Sequence, residues 1–180
     1  MTSSDATAFD PAVAAALSSR AGEHLEGSIT GTGLRVALAC ARFNGGITTR
    51  LLEGALSALA ESGVDRRDLT VAWAPGAFEL PLLALAFADG DRPCDAVIAL
   101  GAVIRGETGH YDVVAGECAR GIQDVQLSTR VPVVFGVLTT ETVEQALDRS
   151  RPDETNKGRE AALTALEMVS VLRQGSLARS

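Results

Sequence analysis

The sequence predicts an α/β fold with three layers, in which helices cover both faces of a four-stranded parallel sheet. Two observations predict it. Short, continuously apolar segments alternate along the chain with longer segments whose apolar residues recur every three or four positions. The first pattern is typical of strands buried on both faces, and the second is typical of amphipathic helices. A chain of 180 residues is long enough to bury one such core without disulfides or metals.

The first 33 residues do not share this alternation. Residues 1–20 are rich in Ala and Ser and hold few large apolar side chains, so we expect a mobile tail. Residues 21–33 carry Leu25 and Ile29 among glycines and polar residues, which predicts an extended arm that lies against another surface. A single domain is expected over residues 34–175.

The first half of the domain is expected to hold two strands and two helices. An apolar run over residues 34–41 predicts a strand, and the apolar face of Ile47–Leu59 predicts the helix after it. A second strand is expected over residues 69–73. Residues 78–88 are apolar on nearly every side, which predicts a buried helix.

The second half repeats the alternation. We expect a third strand over residues 95–104, a helix with apolar residues spaced along Val114–Val125, and a fourth strand over residues 131–138. Helices over residues 143–149 and 157–172 complete the chain. Because strands and helices alternate, the strands are expected to be parallel, as in flavodoxin-like folds.

Composition argues against several classes of protein. The chain carries 16 basic and 23 acidic residues, a net charge of −7, which disfavours sequence-independent binding to nucleic acid. No apolar run approaches the roughly 20 residues that a membrane span needs. The three cysteines form no Cys-x-x-Cys pair. We therefore expect reduced, buried thiols in a cytoplasmic protein rather than a disulfide scaffold or a zinc site.

Oligomerisation is predicted from the amount of apolar surface. The helices expected over residues 78–88 and 161–172 carry apolar residues on more sides than one sheet can cover. Soluble monomers rarely expose apolar patches of that size. We expect a homo-oligomer in which the N-terminal arm lies on a neighbouring subunit.

The functional site is expected beyond the carboxyl ends of the strands, where open parallel sheets bind ligands. Five of the seven aromatic residues lie in or beside these ends: Phe43, Trp73, Phe78, Tyr111 and Phe135. They either plug the edges of the sheet or stack against a flat ligand. Residue types and spacing leave both alternatives open.

Polar residues at the same ends suit an anion and proton transfer. The segment Gly106–Gly109 is either a phosphate site, made of backbone N–H groups and the Thr108 hydroxyl, or an ordinary capped turn. His110, expected one turn into the next helix, is a candidate proton carrier or a structural histidine. Glu79 stands in apolar surroundings, where it would bind ligand hydroxyls or cap a helix.

Two cations, Arg149 and Lys157, flank the segment over residues 150–156. They could supply positive charge to an anion or be ordinary surface charges. The chain has no Walker loop, Gly-x-Gly-x-x-Gly pattern, His-x-x-x-His pair or Ser-His-Asp order. We therefore predict neither a nucleotide cofactor nor a bound metal.

Taken in order along the chain, these segments resemble the lumazine synthase family of riboflavin biosynthesis. The resemblance extends from about Gly27 to Leu172. Its most specific blocks are Arg42–Asn44, Pro75–Pro81, Ala99–Thr108, His110–Asp112, Phe135–Glu141, Glu144–Arg149 and Asn156–Gly158. It implies a transferase without a cofactor. The implied reaction condenses 5-amino-6-(D-ribitylamino)uracil with 3,4-dihydroxy-2-butanone 4-phosphate to 6,7-dimethyl-8-ribityllumazine, phosphate and water.

The resemblance also implies a role for each site residue. One group would hold the uracil substrate: Phe43, Ala77, Phe78, Glu79, Ala102, Val103 and Ile104. Glu107 and Thr108 would bind the phosphate of the second substrate, and His110 would transfer protons. Three residues would reach the site from the adjacent subunit: Phe135, Arg149 and Lys157. Arg149 would complete the phosphate site.

For assembly, the resemblance implies pentamers, which some members build into an icosahedral shell. The short turn over residues 150–156 is like that of shell-forming members and favours a shell, although Arg151–Glu154 replaces their usual glycine-containing sequence. A shell could enclose a partner enzyme, riboflavin synthase. Two further departures are Gly109, where many members carry a bulkier residue, and the helix segment over residues 113–119.

Two other classes of function remain open. The fold could carry a flavin-like ligand without turnover, which the loss of His110, Arg149 or Phe43 would have favoured. It could also be a regulatory module for phosphorylated sugars, which would not need both Phe43 and Phe78. Because all four residues are present, the sequence favours the enzyme.

Overall fold

Four parallel strands form the centre of the computed structural model, which describes residues 8–177. Along the chain they are β1 Val36–Ala41, β2 Leu69–Ala74, β3 Ala96–Ile104 and β4 Val133–Thr140. Their order in the sheet is β2-β1-β3-β4, with every neighbouring pair parallel. The predicted four-stranded parallel sheet is therefore confirmed, with β2 and β4 as its two edges.

Helices cover both faces of this sheet, as predicted. Along the described chain they are α1 Pro11–Ser18, α2 Gly45–Glu61, α3 Leu80–Ala88, α4 His110–Thr129, α5 Val143–Arg149 and α6 Lys157–Leu172. Buried residues of α2, α5 and α6 form one core with the sheet, and those of α3 and α4 form the other. The fold therefore has three layers, with the sheet between two layers of helices.

The strands alternate their side chains between the two cores, as the pleat requires. On β1, Val36, Leu38 and Cys40 belong to the core with α2 and α6. The alanines between them belong to the core with α3 and α4. All three cysteines are buried and free, and burial raises the pKa of the Cys40 thiol to about 12.

Helix α6 lies against α2 at a contact that only glycine permits. A Cβ at Gly158 would collide with the backbone carbonyl of Leu51. Beside it, the side chain of Asn156 is buried and accepts hydrogen bonds at 2.8 and 3.2 Å from N–H groups of the first turn of α6. The same amide donates to the carbonyls of Arg50 in α2 and Arg151 in the preceding turn. One buried amide therefore fixes the start of α6 and the turn before it.

A helix that the sequence analysis does not predict lies in the N-terminal segment. Helix α1 begins at Pro11, and the side chain of Asp10 accepts hydrogen bonds from the N–H groups of Ala12 and Val13 at 2.9 and 3.2 Å. Proline at the first helical position and aspartate before it are local start signals. Residues 1–7 of the predicted tail lie outside the described residues.

The arm over residues 21–33 is extended, but part of it lies on its own chain. The backbone N–H of Ser28 donates to Ser170 Oγ at 3.0 Å, and the side chain of Gln174 donates to the carbonyl of Glu26 at 2.7 Å. This stretch therefore packs on the end of α6 of its own chain, while Ile29 stays 50 % exposed and leaves the expected contact with a neighbouring subunit a prediction.

The helix expected over residues 78–88 is not buried on every side. The chain forms a 3-10 turn at Ala77–Glu79 before α3 begins. Leu80 and Ala84 of α3 are fully buried, whereas Leu82 is 71 % exposed. One chain therefore leaves an apolar side of α3 uncovered, because the sheet reaches only one face of the helix.

We expect Gly158→Ala to lower the free energy of unfolding by about 3 kcal/mol, since the new methyl group forces α6 away from α2. The control is Gly116→Ala in α4, where a Cβ meets nothing within 4 Å. That change should stabilise the chain by up to about 1 kcal/mol. Urea unfolding at one fixed protein concentration measures both. Equal effects of the two substitutions would contradict the close contact.

Candidate functional site

The carboxyl ends of β1, β2 and β3 open into a cleft of about 490 Å³ that we call the aromatic cleft. Nine of the predicted site residues line it: Phe43, Ala77, Phe78, Glu79, Ala102, Val103, Ile104, Thr108 and His110. Asn44 and Tyr111 also line this cleft. The structure thus brings together predicted site residues that lie up to 67 positions apart in the sequence, from Phe43 to His110.

Phe43 stands at the cleft because the chain turns sharply after β1. Asn44 adopts a left-handed backbone conformation with φ 56°, which asparagine tolerates better than most residues. Its side-chain amide donates to the carbonyl of Ala102 at 2.9 Å and so ties the end of β1 to β3. Phe43 is 72 % exposed and Phe78 is 53 % exposed. Such exposure favours stacking on a ligand over plugging the sheet edge.

Glu79 ends the 3-10 turn that precedes α3. Its side chain makes no capping hydrogen bond to that helix, although it occupies the position of the cap. The alternative in which Glu79 serves as a helix cap is therefore not observed. Glu79 is one of the residues that line the aromatic cleft.

The loop between β3 and α4 places a helix start at the cleft. His110 is the first residue of α4, so the expectation of a position one turn inside the helix is wrong. The first N–H groups of a helix have no partner within the helix and favour anions. Thr108 lies beside them, and its hydroxyl accepts from the backbone N–H of His110 at 3.5 Å. Glu107 is exposed and does not line the cleft.

The remaining three predicted site residues lie in a second cleft, of about 360 Å³, along the outer edge of β4. In this edge cleft are Phe135 of β4, Arg149 at the end of α5 and Lys157 at the start of α6. Glu160, which sequence reasoning missed, also lines it and forms an ion pair with Lys157. The two clefts share no lining residue.

The cations of the edge cleft differ in their partners. Lys157 is neutralised by Glu160 one turn further along α6. Within residues 8–177, the guanidinium of Arg149 makes no ion pair and no hydrogen bond. Among the residues that the structure describes, no lysine or arginine lines the aromatic cleft. The unpaired cation and the anion-favouring helix start therefore lie in different clefts of one chain.

A larger depression, of about 530 Å³, lies between α2 and the turn over residues 150–156. Its charged side chains largely satisfy one another, since Arg159 bridges Glu61 at 2.8 Å and Glu154 at 3.0 Å. No aromatic residue of the described part of the chain lines this depression. We therefore give it no part in the site.

Metal and membrane features are absent from the part of the chain that the structure describes. Across residues 8–177, no three His, Cys, Asp or Glu side chains lie close enough to hold a metal ion. In the same range, none of the helices has the length and apolar character needed to cross a bilayer.

Comparison with known proteins adds two findings. Residues 33–173 match the family described as 6,7-dimethyl-8-ribityllumazine synthase. Over 150 residues the chain is 55 % identical to a protein of Edwardsiella ictaluri (strain 93-146) that is named 6,7-dimethyl-8-ribityllumazine synthase. The matched region covers 83 % of this chain and 96 % of the relative. Every predicted site residue, from Phe43 to Lys157, falls inside the family match.

Proposed function

The chain belongs to the 6,7-dimethyl-8-ribityllumazine synthase family, and we propose that its active site joins the aromatic cleft of one subunit to the edge cleft of the next. The protein is a transferase of riboflavin biosynthesis. It condenses 5-amino-6-(D-ribitylamino)uracil with 3,4-dihydroxy-2-butanone 4-phosphate. The proposal concerns which residues carry this reaction and how the subunits share them.

A shared site is supported by one observation: the unpaired cation and the helix start that favours anions lie in different clefts of one chain. A phosphate group needs a cation that is free to bind it, and guanidinium groups bind phosphate with two N–H donors at once. The aromatic cleft offers Thr108 and a helix start but no cation, while Arg149 is unpaired in the edge cleft. A neighbouring subunit that places its edge cleft against the aromatic cleft supplies what is missing.

In this arrangement the flat uracil ring stacks on Phe43, whose side chain is largely exposed at the cleft. The adjacent subunit contributes Phe135 and Lys157 to the same substrate. The ribityl hydroxyls donate hydrogen bonds to the carboxylate of Glu79. The backbones of Ala77–Glu79 and Ala102–Ile104 form the walls, which position the amine for attack.

The phosphate of the second substrate binds at the start of α4. The Thr108 hydroxyl and the backbone N–H groups there donate to its oxygens, and Glu107 takes part through its backbone. The Arg149 guanidinium of the adjacent subunit completes the site. Because these donors are in place before the phosphate leaves, they stabilise the charge that develops on it.

The chemical steps need protons to be moved but no strong nucleophile from the protein. Formation of an imine releases water, the phosphate leaves, and ring closure releases water again. His110 at the first position of α4 can carry protons between the amine, the carbonyl and the leaving group. Positioning of the two substrates supplies most of the acceleration.

The exposed apolar surface and the buried thiols bear on the assembly of the protein and on its location in the cell. We propose a homo-oligomer of the family's pentameric type, since exposed leucines such as Leu82 and Leu127 need cover. The same proposal includes an icosahedral shell with a riboflavin synthase partner inside it. It also includes an arm over residues 21–33 and one domain over residues 34–175. Buried thiols suit a cytoplasmic location.

Arg149→Ala should raise the KM for the butanone phosphate about tenfold or more, since one charge-assisted contact to the phosphate is lost. The KM for the uracil substrate should stay within about twofold. Steady-state kinetics with each substrate varied in turn measure both. Arg151→Ala is the matched control, because Arg151 pairs with Asp148 outside the edge cleft. An effect confined to the uracil substrate would contradict the phosphate role.

His110→Ala should lower kcat about a hundredfold, because proton transfer then depends on water. The oligomer should keep its size. The control is His24→Ala, which removes the other histidine of the chain from the arm. An unchanged kcat would remove the role of His110. Binding of the uracil substrate to the unmodified protein without any product would favour the carrier alternative.

A further inference from the structure

Arg105, the first residue after β3, joins three elements behind the aromatic cleft. Its two terminal guanidinium nitrogens donate to the two carboxylate oxygens of Asp112 at 3.1 and 3.3 Å. Its Nε lies 2.7 Å from a carboxylate oxygen of Glu141, which follows β4. The guanidinium carbon lies 4.1 Å from the ring centre of Tyr111, beside Asp112 in the first turn of α4.

These contacts close the loop that carries the phosphate-binding residues of the proposed site. The loop over residues 106–109 is exposed along its whole length, and a Cβ at either of its two glycines would meet nothing within 4 Å. Glycine-containing segments lose the most entropy when they are ordered. Arg105 holds one end of this loop, and Asp112 holds the other through the helix start. Glu141 anchors the pair to the neighbouring strand end.

We propose that Arg105 is a positioning residue for Thr108 and His110, acting through Asp112 and Glu141 rather than through contact with substrate. This inference rests on the function proposed above. The two ends of the loop between Arg105 and α4 are then held at a fixed separation. This keeps Thr108 and the start of α4 in position to bind the phosphate. The ring of Tyr111, packed on the guanidinium, becomes a firm wall of the aromatic cleft.

Charge balance explains why Arg105 positions and does not bind the phosphate. The carboxylates of Asp112 and Glu141 engage three of the five N–H donors of Arg105. One guanidinium and two carboxylates together carry a net charge of about −1. The hydrogen bond that Arg105 donates to Asp112 is the main cause that raises the pKa of Arg105, which therefore stays charged. A phosphate would have to displace carboxylates that are already in place. Arg105 also does not line the aromatic cleft.

The three side chains are partly exposed, and exposed ion pairs contribute little to global stability. Loss of Arg105 should therefore leave the urea midpoint almost unchanged while it frees the loop. A role in folding alone would move the midpoint and not the kinetics. The two roles are thus separable by experiment.

The first test is Arg105→Met, which keeps most of the length of the side chain and removes its charge. We expect kcat to fall about tenfold and the KM for the butanone phosphate to rise, because the loop no longer holds Thr108 and His110 in place. The KM for the uracil substrate should stay within about twofold. Arg105→Lys should recover part of the loss, since a lysine can reach one carboxylate but not both at once.

The second test is a double-mutant cycle with Asp112→Asn. If Arg105 acts through Asp112, the double variant should be little worse than Arg105→Met alone. If the fold-losses in kcat of the two single variants multiply in the double variant, the proposal is overturned in favour of direct contact between Arg105 and the phosphate. The matched control is Arg67→Met, whose guanidinium pairs with Asp65 at 2.7 Å and lines neither the aromatic cleft nor the edge cleft. It should leave the kinetics unchanged.

The outcomes separate this inference from the proposed function. Normal kinetics of Arg105→Met, together with impaired Arg149→Ala and His110→Ala variants, would overturn the positioning role and leave the shared site standing. Normal kinetics of all three variants would overturn both. A fall in urea midpoint without a change in kcat or KM would make Arg105 a structural residue only.

Discussion

The position of β4 at the edge of the sheet is the constraint on which the site depends. Because β3 lies between β1 and β4, the loops after β1, β2 and β3 meet in one cleft. The chain after β4, an edge strand, leads into α5 and α6, which carry Arg149 and Lys157. Phe43 and His110 therefore lie in one cleft and Arg149 in another. A parallel sheet in this order divides the proposed site residues of each chain between two clefts.

The edge cleft, which holds Arg149 and Lys157, is held in place by the contact between α6 and α2. The buried amide of Asn156 caps α6 and binds the turn from α5, and Gly158 allows the two helices to touch. Arg149 and Lys157 stand on either side of this fixed point. The guanidinium of Arg149, which we propose as the phosphate contact, therefore stands beside a turn that hydrogen bonds hold in place, as preorganised binding requires.

The sequence predicts most of the fold because its signals are local. Apolar runs of strand length and helix-period faces suffice for the sheet and for the bounds of α5 and α6. Helix α1 is missed because its start rests on the cap at Asp10 and not on apolar periodicity. The partners of Arg105 are missed since Asp112 and Glu141 lie 7 and 36 positions away. Such contacts depend on how β3, α4 and β4 pack, which spacing along the chain does not encode.

The central claim, a site shared between subunits, is tested most directly by mixing two impaired variants. His110→Ala damages only the aromatic cleft, and Arg149→Ala damages only the edge cleft. In co-expressed, randomly mixed oligomers about a quarter of the subunit contacts should join two intact halves. The shared site predicts that the mixed oligomers recover up to roughly that fraction of wild-type turnover. Turnover no higher than the mean of the two separate variants would contradict it.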